Sequence, residues 1–192
     1  MEFVVLQHAE RLPAGVLGTV LEQRRRPVRT VRLWEGDPVP AFRAEAIRGL
    51  VVLGDLSSSG TASATREAER ALIGACVEAG VPVLGICLGA RLLAEAAGGG
   101  RAPGGGVTGY VPVTRTPDGV DDPMFAPYPD GMAALCLDGD ALMPAGGAVV
   151  LAHCAGGTVA AFRVGQAAYG VGFHPELDAD AIAALVGQVD LP

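Results

Sequence analysis

The sequence predicts an α/β fold: a mainly parallel central sheet with helices on both faces, followed by a smaller antiparallel portion. Three observations carry this. Short apolar runs alternate with helical patterns through the first half. Residues 82–86 are apolar at both alternating sets of positions, which suits a strand buried on two sides. In the second half, strand patterns follow one another with only turn signals between them, close enough for antiparallel pairing.

The elements follow in order. Residues 3–7 form the first short apolar strand, and residues 14–23 have helical spacing. Residues 27–33 place Val28, Val31 and Leu33 on a second strand. Residues 49–54 contain LVVL between two glycines, a third strand. Over 65–79, Ala68, Leu72, Ala75, Cys76 and Ala79 recur at three- and four-residue steps, and Gly80 ends that helix. Residues 82–86 make the fourth strand, and the helix over 88–97 stops at a glycine triplet. The glycine-rich stretch 98–106 lacks the order of a dinucleotide loop and reads as a flexible connector. Strands are expected at 107–116, 133–137, 148–152, 158–164 and 167–173, with a closing helix at 179–189. There is no internal repeat, and 192 residues suit one domain, 1–192.

Composition removes several function classes. A net charge of −7 argues against broad binding to nucleic acid or an anionic membrane. The apolar stretch 79–90 is too short to span a bilayer, and no basic segment precedes the first apolar run. A cytoplasmic location with reduced thiols is therefore expected. All fourteen basic residues are arginine, so Schiff-base chemistry, a lysine-anchored pyridoxal phosphate and a Walker A loop are excluded. The four cysteines show no C-x-x-C spacing; no metal or cofactor is expected. Cys76, Cys136 and Cys154 read as small buried hydrophobes.

Cys87 differs. Gly85-Ile86-Cys87-Leu88-Gly89 has the form of a sharp strand-to-helix corner that lifts a nucleophile above a sheet. Glycine on each side relieves crowding in such a turn. The helix N-terminus favours a thiolate, and the Leu88 N–H is placed to donate to an oxyanion. Residues 170–176 read GVGFHPE. They deliver His174 at a strand end, and Glu176 lies two residues on, where it can reach back to the imidazole. A thiol needs a base, and the base needs an acceptor that fixes its tautomer. Cys87, His174 and Glu176 supply those three types, whereas His8 and His153 read as structural.

With GICLGA and a distant FHPE in that order, the sequence resembles the triad-type class I glutamine amidotransferases. VVLQH, VRLWEGDPVP, LVVLG, EAGVPVLGICLGARLLAEAAGG, GYVPV and the segment from FRVG to GFHPE extend the resemblance over nearly the whole chain. They are similar to a stand-alone branch near the glutaminase domain of GMP synthase. The resemblance implies a flavodoxin-like three-layer fold and a Cys-His-Glu triad that takes ammonia from glutamine through a thioester. It implies a second oxyanion donor at Gly54-Asp55, in the loop after the third strand. It also implies a small-molecule amide substrate and a separate synthase partner to receive ammonia or an acyl group.

The sequence departs from the family around the expected pocket. Arg91 stands where the family usually has glutamine, and Gly54-Asp55-Leu56 where it has Gly-Gly-Pro. Val107 and Thr108 precede Gly109-Tyr110 in place of a glutamate, and Asp138-Gly139-Asp140 stands for His-Gly-Asp. Arg91, Thr108, Asp138, Gly139 and Asp140 are thus the expected substrate-binding set. Arg91 would favour a thiolate and attract carboxylates, unless Asp138 or Asp55 neutralises it. The expected activity is an acyl-enzyme at Cys87 formed from glutamine or a related amide or γ-glutamyl compound. The alternative is a catalytically silent binding or regulatory subunit on the same fold.

Overall fold

A computed structural model describes residues 1–55 and 63–186. The first half follows the predicted alternation: Glu2–Gln7 (β1), Gly15–Gln23 (α1), Val28–Arg32 (β2), Ile47–Val52 (β3), Ser63–Glu78 (α2), Val83–Ile86 (β4) and Leu88–Ala96 (α3). The second half contains Gly100–Ala102 (β5), Val107–Arg115 (β6), Pro117–Asp121 (α4), Met132–Asp138 (β7), Ala141–Met143 (β8), Val149–His153 (β9), Val159–Val164 (β10), Ala168–Val171 (β11) and Ala179–Val186 (α5). The predicted end of the closing helix, 187–189, lies outside the described residues, as does Leu56.

The strands run in the order β2-β1-β3-β4-β11-β10-β9-β6-β7. β2, β1, β3, β4 and β11 are mutually parallel, whereas β10, β9, β6 and β7 pair antiparallel. β11 joins the two halves, parallel to β4 and antiparallel to β10. Its register sets Gly170 opposite Gly85 and Val171 opposite Ile86. The chain beyond β11 therefore emerges beside the chain beyond β4, although more than eighty positions separate them.

Alternation along the strands divides the core. Val4, Leu6, Leu50 and Val52 pack with Leu72, Ile73 and Cys76 of α2 and Leu92 and Leu93 of α3. Val5, Val51, Leu53 and Ile86 point the other way, into a second core with Phe125, Leu151 and Phe173. Both faces of the parallel strands are thus covered, which is why these runs are apolar at consecutive positions.

Two expectations are corrected. The stretch 98–106 is not only a connector: β5 pairs antiparallel with β8, and β8 meets β10 at Leu142–Val159. Strands of three residues carry no readable period, and pairing partners hold them in place. On α2 the buried arc is Glu69, Leu72, Ile73 and Cys76, while Ala68 and Ala79 are exposed. Alanine tolerates the outer face of a helix at little cost, and a polar partner draws Glu69 inward. Among the described residues, no helix is long and apolar enough to cross a membrane.

Candidate active site

β4 ends and α3 begins with Cys87 alone between them. Cys87 has φ 52 and ψ −107, a backbone conformation that side-chain-bearing residues rarely adopt. Its surroundings over-determine it. A Cβ on Gly85 would run into the Gly89 carbonyl, and one on Gly89 into the Val52 carbonyl. The Cys87 N–H donates to the Val171 carbonyl at 2.8 Å, tying the corner to β11. Leu88 is the first residue of α3, so its N–H has no acceptor within the helix and sits at the positive end of the dipole.

His174 arrives from the neighbouring strand, and its N–H donates to the Leu135 carbonyl at 2.9 Å. Its ring Nδ1 pairs with Glu176 Oε1 at 2.8 Å, with both side chains buried. That bond fixes the ring and leaves Nε2 for other work. Nε2 is buried without a formed hydrogen bond. The Cys87 side chain is nonetheless near enough to favour the protonated ring. Gly54 completes the meeting point: a Cβ there would lie 2.9 Å from His174 Cε1 and 3.4 Å from Cys87 Cβ. Burial is the largest influence on the imidazole and opposes its charge. The favourable influence of Cys87 and of the hydrogen-bonded Glu176 outweighs burial and raises the pKa to about 9.

The N-terminus of α1 holds Glu176 from behind. The Val16 N–H donates to the Glu176 carbonyl at 2.9 Å. Gly15, at φ 47, leaves no room for a Cβ against that carbonyl. The sequence marks a helix starting here but does not mark Gly15 as a contact of the FHPE segment.

Arg91 begins the second turn of α3, and its N–H donates to the Cys87 carbonyl at 3.1 Å. Its guanidinium Nη1 donates to Asp140 Oδ2 at 3.2 Å. Arg101 donates to the same oxygen, and the Gly104 N–H donates to Oδ1 at 3.3 Å. The hydrogen bond from Arg101 is the main reason the Asp140 carboxyl is held below its ordinary pKa. Asp55 pairs with Arg66 of α2 at 3.5 Å. Thr108 is exposed on β6 opposite Leu137, Asp138 ends β7 opposite Val107, and Gly139 is exposed in the turn that follows. Arg91 and Asp140 thus meet, although they are 49 positions apart.

His8, read as structural, takes part in an unforeseen pair. Its Nε2 lies 2.7 Å from Glu69 Oε2, with both side chains fully buried. The partners are 61 positions apart, and the only local signal is a glutamate interrupting an apolar arc. His153 is turned to the Gly157 carbonyl at 3.0 Å.

A family model described as glutamine amidotransferase class I matches residues 23–182. The glutamine amidotransferase-like protein YfeJ of Salmonella typhimurium is 30% identical over 97% of this chain and 79% of its own length. One of the subunits of the glutamine-hydrolysing GMP synthase of Haloarcula marismortui is 38% identical over 50% of this chain and 52% of its own. Among solved structures, a glutamine amidotransferase from Thermotoga maritima superposes with a TM-score of 0.86, at 20% identity, over 97% of this chain and 81% of its own. SMU.1228c superposes with a TM-score of 0.89, at 22% identity, over 99% of this chain and 83% of its own. These two likenesses support the flavodoxin-like arrangement, and the sequence matches carry the family: the chain belongs to the class I glutamine amidotransferases.

Proposed function

We propose that this chain is a cysteine-dependent amide hydrolase or amidotransferase, with Cys87 as nucleophile, His174 as acid and base, and Glu176 as the group orienting His174. The observation that carries this reading is the convergence of a buried His174–Glu176 pair and a strained Cys87 corner on Gly54. The Cys87 sulfur attacks the amide carbon, and His174 holds the thiol's proton. The Leu88 N–H and the backbone at Gly54-Asp55 receive the negative charge that forms on oxygen. As the C–N bond breaks, the imidazolium gives its proton to the departing amine. A ring with a pKa of about 9 is charged at neutral pH and suited to that step. Water then attacks the thioester, releases a carboxylate and restores the thiol.

The substrate is glutamine or a related amide or γ-glutamyl compound. In this reading Arg91, Thr108, Asp138, Gly139 and Asp140 make up the substrate-binding set that differs from the family pattern, with Arg91 and Asp140 paired. A separate synthase would consume the ammonia, in keeping with a relative that belongs to a GMP synthase. The test is steady-state release of ammonia from glutamine and from a panel of γ-glutamyl amides, with Cys87→Ser as control. Turnover of at least one amide that falls about 10³-fold or more in the variant is expected. A panel without turnover, together with no preferential alkylation of Cys87 over Cys76, would make the chain a silent regulatory or binding protein.

A further inference from the structure

Two cysteines outside the proposed triad face each other. Cys136 lies on β7 and Cys154 just beyond β9, 18 positions apart, and their Sγ atoms are 3.9 Å apart in the buried core. The thiols are not disulfide-bonded. Both residues line a small void of about 20 Å³ with Gly106, Asp140 and Thr158 at its sides, room for about one water-sized molecule. A disulfide needs the sulfurs about 2.05 Å apart, so each would move only about 1 Å.

The pair is next to the segment that delivers His174. Cys136 forms an isolated antiparallel bridge with Phe173, and the Leu135 carbonyl accepts the His174 N–H. Thus β7 is the backbone against which His174 is placed. By contrast, Cys76 sits in the other core, against α2 and α3, where burial pushes its thiol up to about 11.

We propose that Cys136 and Cys154 form a reversible disulfide, a modification site that stiffens the strand on which His174 rests. A peroxide is the oxidant. The Cys154 thiolate attacks one peroxide oxygen and breaks the O–O bond; the sulfur becomes a sulfenic acid, and the other oxygen leaves as water after taking up a proton. The Cys136 sulfur then attacks the sulfenic sulfur, the S–OH bond breaks, and a second water leaves. Two thiols and one hydrogen peroxide become one disulfide and two waters. The hydrogen bond from Cys136 lowers the Cys154 pKa against the opposing effect of burial, which suits Cys154 for the first attack. A dithiol reductant reverses the change by exchange.

The experiment uses the full chain carrying Cys87→Ser, so that the proposed nucleophile takes no part, and the result is independent of the catalytic reading. The protein is treated with a small excess of hydrogen peroxide and analysed by intact mass and by non-reducing peptide mapping. The expected product is lighter by two hydrogens, contains a crosslinked peptide pair holding Cys136 and Cys154, and returns to its starting mass with dithiothreitol. Adding Cys154→Ala should abolish the crosslink. Sulfinic acid at either residue without a crosslink, or unchanged thiols, would overturn the disulfide. In the oxidised protein, exchange of the His174 amide hydrogen should slow by about tenfold. An unchanged rate alongside a formed disulfide would overturn the coupling to His174.

Discussion

Among the described residues, two buried histidine–glutamate pairs follow the C-terminal ends of parallel strands of the sheet. His8 follows β1 and His174 follows β11. The pairs are alike in length, 2.7 Å and 2.8 Å, and in burial. Each leaves one ring nitrogen and one carboxylate oxygen without a hydrogen bond: His8 Nδ1 and Glu69 Oε1, His174 Nε2 and Glu176 Oε2. They differ in what they join. His8–Glu69 ties the end of β1 to α2, across 61 positions. His174–Glu176 spans two positions and holds its ring beside a thiol on a strained turn. What sets the His174 pair apart is the cysteine beside it on a strained backbone.

Breaking one pair at a time tests this contrast. Glu176→Gln should lower turnover of the responsive amide by about 10²-fold or more, because the ring keeps an amide acceptor but loses the carboxylate charge that favours its protonated form. Glu69→Ala should cost about 3–5 kcal/mol in urea unfolding, because His8 is left buried without its partner. The turnover of that variant per folded molecule should stay near wild type. Equal kinetic defects in the two variants would erase the distinction.

A pH series sharpens it. The His174 pKa is raised in the folded state, from 6.5 to about 9. The protonated ring is the form that folding favours, so the stability gained from this site is fully present below about pH 6.5 and lost as pH rises through about 9. The difference in urea midpoint between wild type and His174→Gln should shrink over that window. Cys87→Ala removes one group that raises the pKa, and should shift the loss to lower pH. A midpoint difference independent of pH would contradict the proposed coupling of ring and thiol.

The smallest effect is expected at the Arg91–Asp140 pair. Asp140→Asn removes the negative charge shared by Arg91 and Arg101, and should change stability by about 1 kcal/mol or less. Its contribution is present above the ordinary carboxyl pKa of 3.8 and lost as pH falls through the lowered folded-state value. The kinetic change should fall on KM more than kcat if Arg91 contacts the substrate's remote end. A change confined to kcat would move Arg91 from binding to the reacting centre.

The parts of the site legible in the sequence are those with local causes. The Cys87 corner was readable because steric crowding in a strand-to-helix turn demands glycine within two residues. His174 and Glu176 were readable because a carboxylate two residues beyond a histidine can reach back to its ring. The missed contacts have distant partners. Glu69 resembles any glutamate on a helix until His8 meets it, and Gly15 resembles any helix-start glycine until the Glu176 carbonyl lies against it.

By itself the sequence determined the alternation of strands and helices and the strained corner, because periodicity and turn sterics act over a few residues, and it supplied Cys87, His174 and Glu176 as the proposed triad. Only the tertiary structure decided that β11 lies beside β4, that Arg91 is held by Asp140 and Asp55 by Arg66, and that Cys136 faces Cys154. Those outcomes depend on which strands become neighbours and in what register. No short window of sequence contains that information, because the partners are brought together only when the whole sheet closes.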